Sequence, residues 1–307
     1  MLCTCVTVLT AVKCSVPTLT HVIPSQGRGT VLAVTSLDDD VFVVRYKSPI
    51  EVYDAVTFTL QRHITVSGVC PRTYRYGIVA CVNLNTGECL YLSNYDDSSV
   101  QRIDLSGSNA VKWSVASGPV GLSVNKADNL AVACCIANKI QEYTTNGSLV
   151  REICLQAGVK SPWHAIQLST GDYVVSQYIW RGVVSVIGMD GQVVQSYEPS
   201  QTSGVGQMKY PTNLAVTRNG DIFVADQHNN RILSINRSTD CVQELTLSVV
   251  GKVQRPVSLG YLDESRDQLY VEIQEPCGLY LDESRGRLYV GEFGGSRRIL
   301  VIDGVRG

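Results

Sequence analysis

No apolar stretch of this chain reaches the roughly 18 residues that a membrane-spanning helix needs, so no helical span is expected. Histidine is scarce, with four among 307 residues. No Cys-x-x-Cys pair is followed by a second Cys or His pair, which excludes the usual structural zinc modules. A Gly-x-Ser-x-Gly elbow and a phosphate-cradling Gly-rich loop are both missing. Charge is thin, at 18% of residues, and the net value of −2 provides no overall pull toward nucleic acid. No long window keeps a helical period.

What is present is short, Val-rich and repetitive. Apolar residues make up 44% of the chain and glycine numbers 26, a pattern of buried strands joined by tight turns. Val43, Leu92, Val132, Val175 and Val224 end equivalent strands at gaps of 49, 40, 43 and 49 residues. Each unit reads as an apolar run, a Gly/Asn/Asp turn, a second apolar run, a polar turn and two further short strands. Four strands in roughly 40–50 residues describe one blade of a β-propeller. The expected fold is therefore all-β, a six-bladed β-propeller of four-stranded antiparallel blades. The blades fall near 31–66, 76–116, 119–155, 162–197, 211–247 and 256–303. Pro119, Pro162, Pro211 and Pro256 each precede an inner strand, where no ladder donor is needed.

Two features depart from regularity. Tyr261–Val271 recurs as Tyr280–Val290, 19 residues later, which is half a blade. The second copy runs on into a third strand and is assigned to blade 6; the first is expected to pack on the ring as an extra hairpin. The chain also ends without a fourth strand for that blade. Leu19-Thr-His-Val-Ile23 resembles the outer strand of blade 1, so residues 19–23 are expected to close the ring. Residues 19–307 then form one propeller, and residues 1–18 have no assigned role.

The clearest unit contains Asp226-x-x-Asn229-x-Arg231-Ile after Gly-Asp-Ile-Phe-Val, with weaker echoes at Asn138-Lys139-Ile140 and Arg297-Arg298-Ile299. This set resembles the NHL repeat family over about residues 28–303. The resemblance implies six blades and no single function: the family includes RNA binders, substrate-recognition modules of ubiquitin ligases and enzyme relatives. Asp226, Asn229 and Arg231 themselves are read as turn-building residues.

Fourth-to-first and second-to-third loops share one face of a propeller. That face collects Arg45-Tyr46-Lys47, Arg72, Tyr74-Arg75-Tyr76, Tyr95, Trp163-His164, Tyr178, Trp180-Arg181, Lys209-Tyr210, His228, Phe293 and Arg297-Arg298, diluted by Asp96, Asp97, Asp226 and Glu292. The opposite face collects Asp38–Asp40, Glu88, Asp128, Asp172, Asp190, Asp221, Asp263, Glu264, Asp282 and Glu283. Aromatics mixed with cations suit a binding surface, so Tyr76, Trp163, His164, Tyr178, Trp180, Arg181, Tyr210, His228 and Arg297 are the candidate contact residues.

A protein or peptide partner is expected ahead of single-stranded RNA, with no cofactor, no metal and a monomeric chain. Enzyme readings fare worse. The family's amidating-lyase relatives use channel histidines, and only His164 falls near an inner strand here; a lactonase-like carboxylate–Asn site would have only Asn125 and Asn213. The chain is accordingly expected not to be an enzyme.

Eleven cysteines, several inside apolar runs such as Cys134, Cys135 and Cys154, read as small core residues. Cys81 and Cys89 flank the first turn of blade 2 and are a candidate cross-strand pair. Residues 1–11 lack a basic start and a cleavage site, so a cytoplasmic location is expected.

Overall fold

The structure is a computed structural model that describes residues 16–25, 29–66, 77–83, 87–106, 110–198, 205–249, 262–263, 268–269 and 273–305. Short β-strands account for nearly all its regular structure, and the helical element among the described residues is a single 3-10 turn, Gln227–Asn229. Six antiparallel sheets stand around an axis as the blades of a propeller. The first five span 31–64, 78–114, 119–154, 162–197 and 211–244, each with its four strands in chain order.

The inner strands are Val31–Leu37, Ile78–Asn83, Pro119–Val124, Pro162–Gln167, Pro211–Val216 and Pro276–Asp282. The last of these corrects the expectation for blade 6. Its inner strand opens at Pro276, not near Pro256, which lies outside the described residues. The residue before each of the four inner-strand prolines is left-handed: Gly118, Ser161, Tyr210 and Glu275 have φ of 74°, 48°, 51° and 43°. That turn aims the chain down the axis, and proline then holds its own φ where no ladder donor is lost.

Just inside this start, five inner strands shift register against their neighbours, between Val31/Ala33, Pro119/Leu122, Pro162/His164, Pro211/Leu214 and Pro276/Gly278. A bulge takes carbonyls out of the ladder, and hydroxyls or a thiol from the preceding blade bond several of them. Ser93 Oγ donates to Val120 O at 2.7 Å, Ser176 Oγ to Thr212 O at 2.5 Å, Thr212 Oγ1 to Pro276 O at 3.3 Å and Cys277 Sγ to Val31 O at 3.0 Å. Between these polar joints the blades pack through apolar clusters such as Val120, Ala133, Ile153, Tyr173 and Ile187. Close packing also explains Gly191 (φ 81°). A Cβ there would lie 1.9 Å from Cys154 O of the neighbouring blade.

The ring closes as expected. Thr18–Ile23 pairs antiparallel with Ile299–Asp303, matching Leu19 to Ile302 and Ile23 to Ile299, and both apolar partners are buried. A short strand after blade 5, Ser248–Val249, then pairs in parallel with Thr18 and Leu19. The closing strand is thus hydrogen-bonded on both sides.

Of the duplicated half-blade, the second copy forms Pro276–Asp282 and Arg287–Glu292 of blade 6. The first copy contributes a separate two-stranded hairpin in which Leu262 faces Leu269 and Asp263 faces Gln268; the rest of it lies outside the described residues. In blade 2 the register sets Cys81 directly opposite Cys89, whereas the Cys81 side chain is outside the described set.

Candidate functional site

Four connections of the axial face are tied together by single backbone bonds. Tyr178 N–H donates to Ser161 O at 3.0 Å, Tyr210 N–H to Ile179 O at 3.0 Å, and His228 N–H to Lys209 O at 3.2 Å. Gly182 N–H adds a bond to Met208 O at 3.2 Å. These rungs align five rings from blades 4 and 5 into a ridge. Trp163 stacks on Tyr178 with centroids 4.2 Å apart, Tyr178 lies 4.9 Å from Tyr210, and Tyr210 meets His228 at 4.6 Å and Trp180 edge-on at 5.9 Å. Such offset and edge-to-face contacts are the favoured aromatic geometries. Lys209, absent from the candidate contact residues, places its ammonium 5.2 Å from the Trp180 ring centre. Trp180 is 57% exposed, and Arg181 and His228 are also exposed.

The Asp226–Asn229–Arg231 set builds this ridge from beneath. Buried Asp226 accepts from Arg231 Nε at 2.7 Å, Asn229 Nδ2 at 2.8 Å and the Lys209 backbone N–H at 2.7 Å. Asn229 also donates to Gln207 O at 2.8 Å, and Arg231 donates to Val205 O and to Gly206 O. All three side chains therefore grip the backbone of 205–209, the linker that delivers Lys209 and Tyr210. Their role is structural, as read from the sequence, and its consequence is the position of the ridge.

Other expected contact residues lie elsewhere. His164 is not on the axial face; it is buried in the channel. Its Nδ1 accepts from Leu214 N–H and its Nε2 lies against Leu122 O, both at 3.0 Å, so one imidazole joins blades 3, 4 and 5. With Nδ1 accepting, the proton sits on Nε2 and the ring is neutral. Burial lowers its pKa to about 4. Gly121 makes room: a Cβ there would fall 2.6 Å from the imidazole Cδ2.

Arg297, exposed with φ of 50°, sits on the blade 6 loop and makes no ring contact with the ridge. Its carbonyl accepts from Arg45 Nη1 at 2.8 Å. Tyr76 lies outside the described residues. Arg45 and Arg298, counted from the sequence as surface cations, are buried in ion pairs with Glu51 and Glu292, each at 2.8 Å. Of the four acids that diluted the face, Asp226 and Glu292 are internal and Asp97 pairs at the surface with Lys112 at 2.5 Å.

Below the face, a cavity of about 250 Å³ follows the axis, lined by Val34, Leu122, His164, Asn213, Leu214 and Tyr280 among others. Asn125, the other sequence candidate, accepts from the N–H groups of Ala127 and Asn129 in its own turn. Among the described residues no three His, Cys, Asp or Glu side chains converge as a metal site. Nor is any helix among them long and apolar enough to cross a membrane.

No family model and no curated protein matches the chain. Solved structures do share its fold. Virginiamycin B lyase from Staphylococcus aureus superposes with a TM-score of 0.60 at 12% identity, covering 94% of this chain and 99% of that one. Kuenenia stuttgartiensis hydrazine synthase gives 0.59 at 16% identity over 91% and 96%. An auxiliary nutrient binding protein from Bacteroides thetaiotaomicron gives 0.61 at 15% identity over 90% and 69%. At these identities the likeness shows the six-bladed propeller alone.

It also overturns one expectation. The chain was read as not being an enzyme because histidine and carboxylate sets are missing from its channel. Yet its fold is shared over almost full length with a lyase. A propeller of this kind carries catalysis in other proteins, so missing motifs do not place this chain outside the enzymes.

Proposed function

We propose that the chain is a binding propeller of the NHL type that engages a protein or peptide partner through the ridge of Trp163, Tyr178, Trp180, Tyr210 and His228. One observation carries this reading. Tyr210 is the hub of the ridge, and its backbone is left-handed at φ 51°. The same position holds Gly118 in blade 3, Ser161 in blade 4 and Glu275 in blade 6, so the fold requires the conformation but not the ring. A bulky residue there costs about 1–2 kcal/mol relative to glycine. Backbone strain of this kind concentrates at functional sites. Large rings also dominate binding hot spots, because they bury much area while losing few rotamers.

Replacing Tyr210 with glycine separates the two roles. Relief of the backbone offsets lost ring packing, so stability should stay within about 1 kcal/mol of wild type. Proteins captured from a ribonuclease-treated extract by the wild-type chain should be lost by the variant. Unchanged capture with unchanged stability would sink the reading.

A further inference from the structure

The charges around the ridge point to what it binds. Among the described residues Lys47, Arg102, Lys126, Arg237 and Arg297 take part in no ion pair, and neither do the three that concern the ridge, Lys160, Arg181 and Lys209. All three border the ridge. Lys160 precedes the strand that carries Trp163, Arg181 follows Trp180, and Lys209 lies over the Trp180 ring. Exposed His228 flanks the same end. Beneath this surface Asp226 is buried and paired with Arg231, and Glu244 lies 3.8 Å from the same guanidinium.

We infer that the ridge takes an acidic segment of a partner protein, one carrying Asp or Glu beside a Tyr, Phe or Pro ring. This rests on the reading of the ridge as a binding surface. The ring of the segment packs at the Trp180–Tyr210 end, where the two side chains already meet edge-on and leave Trp180 open. The carboxylates face Lys209 and Arg181. Lys209 is suited to this role: the indole face holds its stem in place without satisfying its N–H donors. Arg181 can meet a carboxylate through two parallel donors. The described unpaired cations beside the ridge, Lys160, Arg181 and Lys209, are too few for a tract of phosphates, and the chain as a whole carries −2, so an acidic peptide fits better than single-stranded RNA. Exposed pairs add little affinity one by one; together they set orientation, on-rate and salt dependence.

The test uses two labelled peptides of equal length, one built from Glu, Tyr and Pro and the other with Gln in place of Glu, and an oligouridylate. Fluorescence anisotropy should show the Glu peptide binding about tenfold tighter than the Gln peptide at low salt, with the difference closing near 0.5 M salt. The double variant Arg181→Gln with Lys209→Gln should lose that difference and keep its affinity for the Gln peptide. Equal binding of the two peptides, tighter binding of the oligouridylate, or failure of both peptides at millimolar concentration overturns the inference. Tyr210→Gly tells the two failures apart. If it weakens both peptides while charge has no effect, the ridge stands and only the acidic partner falls. If it weakens neither, the ridge reading itself is wrong.

Discussion

His164 shows how much one side chain can do at a three-blade junction. It accepts from blade 5, donates to blade 3 and belongs to blade 4, so its neutral form is part of the fold. Its pKa falls from 6.5 in the unfolded chain to about 4 when buried. The sign follows. Between those values the unfolded chain binds the proton and the folded chain does not, so stability is full above about pH 6.5 and declines as pH falls toward 4. The slope contributed by one such group reaches about 1.4 kcal/mol per pH unit. Urea midpoints measured across this window should fall with pH for the wild type and fall less for His164→Gln. Parallel profiles would assign the effect to other groups.

Trp180 and Arg181 test the opposite case, side chains that the fold does not need. Both are exposed, and Trp180 meets the ridge only edge-on. Replacing both with Ala should shift stability by less than about 1 kcal/mol, as for surface changes generally, while weakening partner capture. Unfolding of the double variant would place these residues in the core.

At the scale of elements, the closing strand is the critical one. Thr18–Ile23 supplies the outer strand of blade 6, Leu19 packs with Leu300 and Ile302, and Ser248–Val249 covers its far side. Deleting residues 1–24 would strip both neighbours of a partner and leave Ile299–Asp303 as a bare edge. Thermal melting should show a large drop, and Leu19→Ala alone should cost about 2–5 kcal/mol, as for a buried Leu. A deletion variant that melts like the full chain would rule out this closure.

The grip on residues 205–209 is a second element-scale device. Removing Asp226 as Asp226→Ala would leave the half-buried Arg231 without this carboxylate and free the Lys209 N–H. A loss of about 3–5 kcal/mol is expected from breaking such a pair. Urea titration measures it, and a loss under about 1 kcal/mol would mean the linker holds without the pair.

For the whole molecule, the duplicated half-blade poses the test. Blade 6 is complete with the second copy, and the first copy adds a hairpin outside the six-sheet ring. Deleting residues 261–279, one repeat length, joins equivalent points of the two copies. A normal sixth blade and equal or higher stability are expected by circular dichroism and melting. Failure to fold would show the first copy to be integral.

The number of blades, their strand order and the closing strand were legible in the sequence because a blade is a local object. Hydrophobic alternation and turn residues such as Asp190-Gly191 act over a few positions, and the repeat multiplies the signal. The aromatic face was legible in part. Trp163, Tyr178, Trp180, Tyr210 and His228 were assigned to one face from loop order, and rungs such as Tyr210 N–H to Ile179 O bring them into contact. Orientation was not legible. Whether His164 points into the channel, whether Arg45 and Arg298 are buried against Glu51 and Glu292, and whether Lys209 is left free all depend on neighbours from other blades. A one-dimensional pattern states what a residue is and which loop holds it. Burial and pairing arise only when six separate sheets meet around an axis, and that meeting decided which charges face solvent.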